Sequence, residues 1–266
     1  MSTHGTTVLV VNVNTTGAVT EVIRRSALAA AAPGTEVVAL TPRFGPASVE
    51  SNVESHLSAV GVLDAVLTHD GRYDAVVHAG FGEVGREALQ DVLDVPVVDI
   101  TEAAAHTACL LGRTYGVVTS LDRTAPAIRD RLLLAGLERR CSGVRSVDLP
   151  VLELEADPEV TAKAFVAQAQ RCVEEDGAEV VVLGCAGMAG LHGAVRDALA
   201  VPVVDGVAAA VRLAESLVAL GLGTSKVRSY AAPRAKEVRG WPWPAAAARD
   251  AGGRSGGAVP GAGGRP

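Results

Sequence analysis

The sequence has little of what marks a protein that binds nucleic acids or membranes. Only 3% of its 266 residues are aromatic, and its 30 acidic and 24 basic residues are interspersed rather than grouped in blocks. A net charge of −6 therefore provides no basic stripe for a phosphate backbone and no polybasic patch for a membrane surface. No apolar run reaches the roughly 18 residues that a membrane span needs. We expect neither a nucleic-acid partner nor a membrane partner.

The chain also lacks metal-binding cysteine motifs and a secretion signal. None of its cysteines forms a Cys-x-x-Cys pair, which argues against a zinc knuckle and a dithiol redox motif. The N-terminal MSTHGTT is polar and has neither the charged region nor the cleavage pattern of a signal peptide. These features predict a cytoplasmic protein whose cysteines are thiols. The four cysteines are Cys109, Cys141, Cys172 and Cys185.

Short Val-rich runs alternate with longer segments of helical periodicity, such as residues 17–32 and 158–175. Strands that are apolar at every position, alternating with helices, indicate a mostly parallel sheet covered on both faces. The sequence therefore predicts an α/β protein. The predicted strands are residues 8–11, 36–40, 75–77, 96–100, 115–119, 146–149, 180–183 and 202–204.

The order of these elements repeats in the second half of the chain. Residues 74–99 match residues 179–205 through a strand, a Gly-rich turn, a helix and a final V-P-V-V-D. The opening strands VLVVN and YGVVT correspond as well. This ordered match predicts two similar α/β domains related by a pseudo-two-fold axis. Two such domains place the C-terminal ends of their strands at a shared cleft, where open α/β sheets bind ligands.

The repeat also suggests how the chain is divided. The first unit is expected over residues 1–110, with the option that its end crosses over to the other domain, and the second over residues 111–220. Residues 221–240 are expected to pack back on the protein. Residues 241–266 are rich in Pro, Gly and Ala and are expected to form a disordered tail, because they cannot bury enough apolar surface.

The two units differ at one position of the cleft, where the first has Gly80 and the second has Cys185. Cys185 lies in G-C-A-G between a buried strand and a predicted helix, where the macrodipole and unpaired N–H groups favour a thiolate. This setting is typical of a reactive cysteine, and the alternative is a buried structural one. The other three cysteines have no such turn and are expected to be structural.

Other polar residues near the strand ends have two interpretations each. The turns at residues 12–16 and 119–123 can cap helices or can hold a small anionic or amide-bearing ligand. His78 shares a strand face with Gly80 and is a weak candidate for a general base, the alternative being a core histidine. Glu83 is expected to begin the following helix, where the dipole stabilises a carboxylate without a catalytic role.

Four motifs together resemble the aspartate/glutamate racemase superfamily, and within it the hydantoin and allantoin racemases. They are N-V-N-T-T, G-F-G-E-V-G, V-V-T-S and G-C-A-G-M. The resemblance implies two α/β domains around a cleft and chemistry that needs no cofactor and no metal. In these racemases one cysteine from each half flanks the stereocentre, and each serves one face of the α-carbon. Cys185 matches the second cysteine, whereas the first falls at Gly80.

Gly80 has no proton to exchange, so the two-thiol mechanism cannot operate as it stands. Arylmalonate decarboxylases of the same superfamily are similar in this respect, with a glycine in the first half and a single cysteine in the second. Three functions therefore stay open. They are a racemase with Cys185 as acid/base and an unidentified partner, a one-cysteine decarboxylase or isomerase of a malonate-like carboxylate, and a non-catalytic small-molecule binding protein.

Both chemistries pass through an enolate and need hydrogen-bond donors aimed at a developing oxyanion. The hydroxyls of Thr119 and Ser120 are candidates, as are the backbone amides after Gly80 and Cys185. Phe44 and Phe81 are rings that can pack on an apolar substituent. A homo-oligomer is a further expectation from the resemblance. The residues predicted to bind the small-molecule substrate are Asn14, Phe44, Gly80, Phe81, Thr119, Ser120, Ala186 and Gly187.

Overall fold

A computed structural model of the chain describes residues 5–154, 156–186, 191–234 and 236. Gly187 and the predicted tail, residues 241–266, lie outside this set. The first half of the chain contains β1 (Thr7–Asn12), α1 (Gly17–Ala30), β2 (Glu36–Leu40), α2 (Asn52–Leu67), β3 (Ala75–Ala79), α3 (Arg86–Val92), β4 (Val97–Asp99) and α4 (Ile100–Leu111). The second half contains β5 (Tyr115–Thr119), α5 (Ala125–Leu134), β6 (Cys141–Ser146), α6 (Pro158–Glu174), β7 (Val180–Leu183), α7 (His192–Ala198), β8 (Val203–Asp205) and α8 (Gly206–Ala219).

The two halves form two four-stranded parallel sheets of the same topology. The strand order is β2-β1-β3-β4 in the first sheet and β6-β5-β7-β8 in the second. His78 pairs with Asp99 in one sheet, and Leu183 pairs with Asp205 at the matching place in the other. The predicted α/β class with two similar domains is confirmed, and Gly80 and Cys185 follow equivalent strands.

The central strands are covered on both faces, as their apolar composition predicts. Every residue of β1, β3, β5 and β7 is buried, whereas the edge strands β2 and β6 are mostly half-buried. The predicted strand at residues 146–149 is wrong, because the strand is β6, which ends at Ser146. β6 is a partly polar edge strand without the apolar signal, and the apolar Val147 and Leu149 after it pack into the core instead.

The repeated V-P-V-V-D motif ends each sheet and starts the next helix. The carboxylate of Asp99 accepts hydrogen bonds from the backbone N–H groups of Thr101 and Glu102, which cap α4. Asp205 caps α8 in the same way through the N–H groups of Val207 and Ala208. The two aspartates therefore satisfy backbone donors that the first turn of a helix leaves without partners.

The largest apolar core lies between the two sheets rather than within one half. It joins side chains of β1 and β3 to side chains of β5 and β7, together with α4, α5 and α8. Helix α4 packs on α8 and reaches β7 and β8, while α8 packs on α1, β3 and β4. Two smaller cores lie under α2 and α3 and under α6 and α7. The helix that follows each sheet therefore packs on the other half.

Polar contacts join the halves around this core. Ser26 in α1 donates to Asp205, and the backbone N–H of Ala32 donates to Glu215 in α8. After α8 the chain returns to the first half, where Thr224 bonds to the backbone of Asp94 and Val95. Among the described residues, no helix is long and apolar enough to span a membrane.

Candidate active site

A narrow cleft lies where the C-terminal ends of the two sheets meet. Its empty volume, including the open mouth, is about 460 Å³. The turns after β1 and β3 line one side, and the turns after β5 and β7 line the other. Parallel strands of one sheet end at the same edge, so this topology collects four polar turns from distant parts of the chain.

Cys185 faces this cleft from the end of β7 and is half-buried. The preceding Gly184 donates its N–H to the carbonyl of Val118 at 2.8 Å, which keeps the turn in register with β5. A Cβ atom at Gly184 would lie 2.8 Å from the side chain of Val117. Only glycine permits this close approach of the turn to β5, and the approach fixes where Cys185 projects.

Thr119 and Ser120 line the cleft at the end of β5 and are both buried. The Thr119 hydroxyl donates to the carbonyl of Gly184 at 3.1 Å. Its proton is therefore engaged, which differs from its expected role as an oxyanion donor. The Ser120 hydroxyl is the donor of this pair that is available to a ligand.

Asn14 presents an amide group to the cleft from the turn after β1. Its Oδ1 accepts hydrogen bonds from the side chain of Asn12 at 2.9 Å and from the N–H of Thr16 at 3.0 Å. These bonds orient the side chain and leave its NH₂ group to donate to a ligand. Asn12 is held in turn by Thr20, to whose hydroxyl it donates at 3.0 Å.

Gly80 stands at the end of β3, opposite Cys185 in the pseudo-two-fold arrangement. A Cβ atom at this position would lie 2.5 Å from Cγ1 of Val13, 2.8 Å from Oε2 of Glu83 and 3.0 Å from Cε1 of His78. The first two separations are shorter than real Cβ atoms show. Other side chains therefore occupy the space that a side chain at position 80 would need.

Glu83 lies in the loop that leads to α3 and is one of the residues that line the cleft. The sequence prediction that Glu83 begins the helix is wrong, since α3 starts at Arg86 with Gly85 as its N-cap. Gly82 (φ +89°) and Gly85 (φ +133°) have backbone conformations that favour glycine. They turn the chain so that Glu83 points back toward the end of β3 instead of along a helix.

The Glu83 carboxylate is in an unusual electrostatic environment. Its Oε2 is buried and has no hydrogen-bond partner among the described residues. The pKa of Glu83 is raised to about 8: burial is the main cause and the charge of Asp99 acts in the same direction, whereas the backbone N–H of Glu83 and the charge of Arg131 partly oppose them. The group is therefore mainly a neutral acid at pH 7 and ionises in mildly alkaline solution.

Comparison with known proteins identifies the family. The Asp/Glu/Hydantoin racemase model matches residues 8–214. The chain belongs to this racemase family. It is 59% identical to the solved structure of an allantoin racemase from Pseudomonas fluorescens, which superposes with a TM-score of 0.86 over 88% of this chain and 100% of that one. An allantoin racemase from Klebsiella pneumoniae is 40% identical with a TM-score of 0.86, covering 89% of this chain and 97% of that one.

A curated relative gives the same assignment. A hydantoin racemase from Pseudomonas sp. (strain NS671) is 40% identical over 87% of this chain and 93% of its own length. The relatives are racemases, and this chain is accordingly an isomerase of the racemase family. The resemblance to the family implies a cysteine at position 80. This racemase departs from that pattern, since it has Gly80 there, with the carboxyl group of Glu83 beside it.

His78, the weak candidate base, does not reach the cleft of this racemase. Its side chain is fully buried behind Gly80 and is absent from the cleft lining. Nδ1 lies 3.1 Å from Oδ2 of Asp99, and Nε2 lies toward the backbone of Gly85. Burial raises the pKa of Asp99, but the hydrogen bond and charge of His78, the charge of Arg131 and the backbone N–H of Glu102 together hold it below its usual value. The placement of His78 is that of a core histidine.

The remaining predicted binding residues are placed unevenly. Phe81 is buried and lines the cleft, as does Ala186 next to Cys185. Phe44 lies in the loop after β2 and does not line the cleft; Val49 of the same loop does. The side chain that this loop presents depends on its path between β2 and α2, which no periodic pattern in the sequence specifies.

The cysteines outside the cleft have structural surroundings. Burial raises the pKa of Cys141 to about 11 and that of Cys172 to about 12, so both are protonated at neutral pH. Cys172 packs in the core under α6, and Cys109 packs against the central core. Their positions agree with the structural role expected for them from the sequence.

Proposed function

We propose that this protein racemises a hydantoin- or allantoin-like ring by exchanging the proton on its α-carbon, with Cys185 as the acid/base for one face. The observation that carries the proposal is the chemistry of the cleft around Cys185. In the described part of the lining, Cys185 and Glu83 are the ionisable side chains, and the lining contains no Lys or Arg. The cleft therefore suits a neutral ring better than a free amino acid, whose carboxylate would need a cationic partner.

The polar groups of the cleft fit such a ring. A hydantoin presents carbonyl oxygens and ring N–H groups on either side of the α-carbon. The Asn14 amide and the Ser120 hydroxyl are donors that can bind the oxygen on which negative charge develops when the proton leaves. A well-placed donor of this kind contributes about 2.7–4 kcal/mol to stabilisation of the transition state. The names of the relatives, hydantoin racemase and allantoin racemase, support the same substrate class.

Gly80 favours a second candidate reaction, the one-cysteine decarboxylation of a malonate-like substrate. That reaction needs an acid on one face only, so a glycine at position 80 would suffice. Two features of the cleft oppose it: the described lining lacks a cation for a dicarboxylate, and the Glu83 carboxyl group lies beside Gly80. The racemase remains the first proposal.

The test is proton exchange in deuterated water, followed by NMR, combined with optical rotation. Both enantiomers of allantoin and of several 5-substituted hydantoins are compared with arylmalonates. We expect the native protein to exchange the α-proton and to lose optical rotation on a hydantoin or allantoin. Cys185→Ala should lose racemisation by about 10²–10⁴-fold, the usual contribution of a general acid/base. Cys109→Ala, which removes a thiol outside the cleft, should retain it.

Other outcomes separate the alternatives. Release of carbon dioxide from a malonate without exchange on any hydantoin would replace the proposal by the decarboxylase. Saturable binding of a hydantoin without exchange would indicate the non-catalytic binding protein. We also propose a cytoplasmic location and a homo-oligomer, in line with the family resemblance, and sedimentation of the purified chain tests the latter.

A further inference from the structure

Two matched loops, one from each half of the chain, meet beside the cleft. The first is the loop 41–51 between β2 and α2, and the second is the segment 147–154 that follows β6 and leads to α6. They are equivalent connections, since each leaves the edge strand of its sheet. Val49 of the first and Val151 of the second both line the cleft. A contact between these loops therefore joins the two halves at the cleft itself.

The carboxylate of Glu50 makes this contact. Its Oε1 accepts a hydrogen bond from the backbone N–H of Val151 at 3.1 Å. The Ser48 hydroxyl donates to the same oxygen at 3.0 Å, and the N–H of Glu50 donates to the side chain of Glu54 at 2.7 Å. Both the backbone and the side chain of Glu50 are thus held in place. We call the hydrogen bond between Glu50 and Val151 the clasp.

Each loop is bonded in turn to the part of the cleft that presents a donor to the ligand. In the first half, the carbonyl of Pro46 accepts from the N–H of Thr15 at 3.0 Å and from its hydroxyl at 3.2 Å, directly after Asn14. In the second half, the N–H of Leu149 donates to the carbonyl of Ser120 at 3.0 Å. The clasp therefore completes a series of contacts that runs from Asn14 to Ser120 across the cleft.

The separation of Asn14 and Ser120 matters because these two donors belong to different halves. The oxygen that becomes negative when the α-proton leaves has to lie within hydrogen-bond distance of both. Donors that are fixed before the reaction stabilise the transition state without reorganisation. A displacement of about 1 Å can cost about 10²-fold in rate. A bond that fixes the two loops relative to each other therefore acts on the chemical step.

We propose that Glu50 is a positioning residue of this enzyme, whose clasp to Val151 holds the Asn14 and Ser120 donors at the separation that the enolate needs. The inference rests on the proposed racemase function and extends it to a residue outside the described cleft lining. Among the described residues, Glu50 is the acceptor of the Val151 N–H. Glu50 thus acts through the loops and does not touch the substrate.

The test removes the clasp from each side in turn, in the full chain. Glu50→Ala removes the acceptor. Val151→Pro removes the donor and suits the local backbone, because Val151 begins a short 3₁₀ turn and Pro150 before it has ψ 144°, the extended conformation that a following proline requires. We expect each variant to lower kcat for racemisation of a hydantoin or allantoin by about 10- to 100-fold. The change in KM should be smaller, because the donors are needed most in the transition state.

A double-mutant cycle distinguishes positioning from separate structural effects. If both changes break the same bond, Glu50→Ala/Val151→Pro should be no slower than the slower single variant, whereas independent effects would multiply. Glu50→Gln keeps a side-chain oxygen that can accept the hydrogen bond. We therefore expect Glu50→Gln to recover part of the kcat that Glu50→Ala loses. Circular dichroism first establishes a temperature at which all variants are folded.

Two further variants serve as controls. Val151→Ala keeps the N–H and shortens a side chain that lines the cleft, so it measures the effect of the lining alone. Glu50→Ala should retain its full effect on kcat when it is combined with Val151→Ala. Glu153→Ala truncates an exposed acidic side chain two residues further along the same segment, and should leave kcat unchanged.

The outcomes distinguish a failed inference from a failed function. If the native chain racemises a hydantoin and a folded Glu50→Ala variant does so with native kcat and KM, the clasp does not position the donors, while the proposed function stands. A rise in KM with unchanged kcat, or losses that multiply in the double variant, would also overturn the inference. If the native chain exchanges no hydantoin or allantoin proton, the proposed function itself fails.

Discussion

At the scale of single residues, the buried carboxyl group of Glu83 links folding stability to pH. Its pKa is about 8 in the folded protein, against the usual 4.5 of a solvated Glu. Between these values the folded chain retains a proton that the unfolded chain has released, so the free energy of unfolding falls as the pH rises. The stabilising contribution of the protonated Glu83 side chain is therefore fully present below pH 4.5. It decreases as the pH rises and is lost above pH 8.

We predict that Glu83→Gln removes this pH dependence. The difference in unfolding free energy between the variant and the native chain should change by up to about 1.4 kcal/mol per pH unit in this window. Asp99 of β4, Arg131 of α5 and His78 of β3 are charged or titratable groups close to Glu83, and the substitution leaves all three in place. Urea denaturation from pH 5 to pH 9 measures the difference. Parallel profiles for the native chain and the variant would show that the carboxyl group is not held neutral.

The residues of the site differ in how far the sequence can predict them. Cys185 follows an apolar strand in a Gly-rich turn, and the internal match places Gly80 opposite it, so strand order alone predicts that pair. Strand order does not predict where the Glu83 side chain lies, because its direction depends on the positive φ angles of Gly82 and Gly85. The sequence also does not predict that the Thr119 hydroxyl donates a hydrogen bond to the Gly184 carbonyl, because this contact depends on the pairing of β5 with the neighbouring β7.

At the scale of elements, a group of four charged residues connects α3, α4 and α5. Glu102 of α4 pairs with Arg86 of α3 and lies 3.7 Å from Nη2 of Arg131 in α5. Glu87 accepts from both arginines at 2.9 Å. The side chain of Arg131 is only 5% exposed and that of Glu102 only 15%, whereas Glu87 is 42% exposed. Glu102 is therefore the less solvent-screened of the two carboxylates that face these arginines.

We predict that Glu102→Gln destabilises the fold far more than Glu87→Gln. Removing one partner of a buried ion pair typically costs about 3–5 kcal/mol, and we expect the lower end because Glu87 stays in place. A solvent-screened pair is worth about 0–1 kcal/mol, which bounds the loss for Glu87→Gln. Urea denaturation at neutral pH compares the two variants directly. Equal losses would show that exposure does not rank these carboxylates.

The sequence predicts best the elements whose own residues show a clear pattern, either an apolar run or helical periodicity. The fully apolar central strands and the helices at residues 17–32 and 158–175 agree with β1, β3, β5, β7, α1 and α6 to within a few residues. The edge strand β6 has no such pattern, since its sequence CSGVRS is half-buried and partly polar. Its position follows from pairing with β5, a tertiary contact that local composition does not encode.

At the scale of the whole molecule, the internal repeat predicts two units around a cleft. It does not show how much the stability of each unit depends on packing against the other. The largest core joins both sheets, and α4 and α8 each pack on the opposite half. Glu50 of one half also accepts a hydrogen bond from the N–H of Val151 in the other at 3.1 Å, and Val49 and Val151 line the cleft. Each half also has a smaller core of its own, but the largest apolar core is shared by the two halves.

We therefore predict that the two halves unfold together, although chains of this length often unfold in several steps. Hydrogen exchange followed by mass spectrometry should give the same opening free energy for peptides that cover β1 to β3 and for peptides that cover β5 to β7. The physical reason is that opening one sheet exposes the apolar face of α4 and α8 and removes the packing of the other sheet. As a control, a chain that ends at residue 112, after α4, should show no cooperative unfolding by circular dichroism. If one half exchanged at a clearly lower free energy, or if the fragment unfolded cooperatively, the shared core would not be what holds the cleft together.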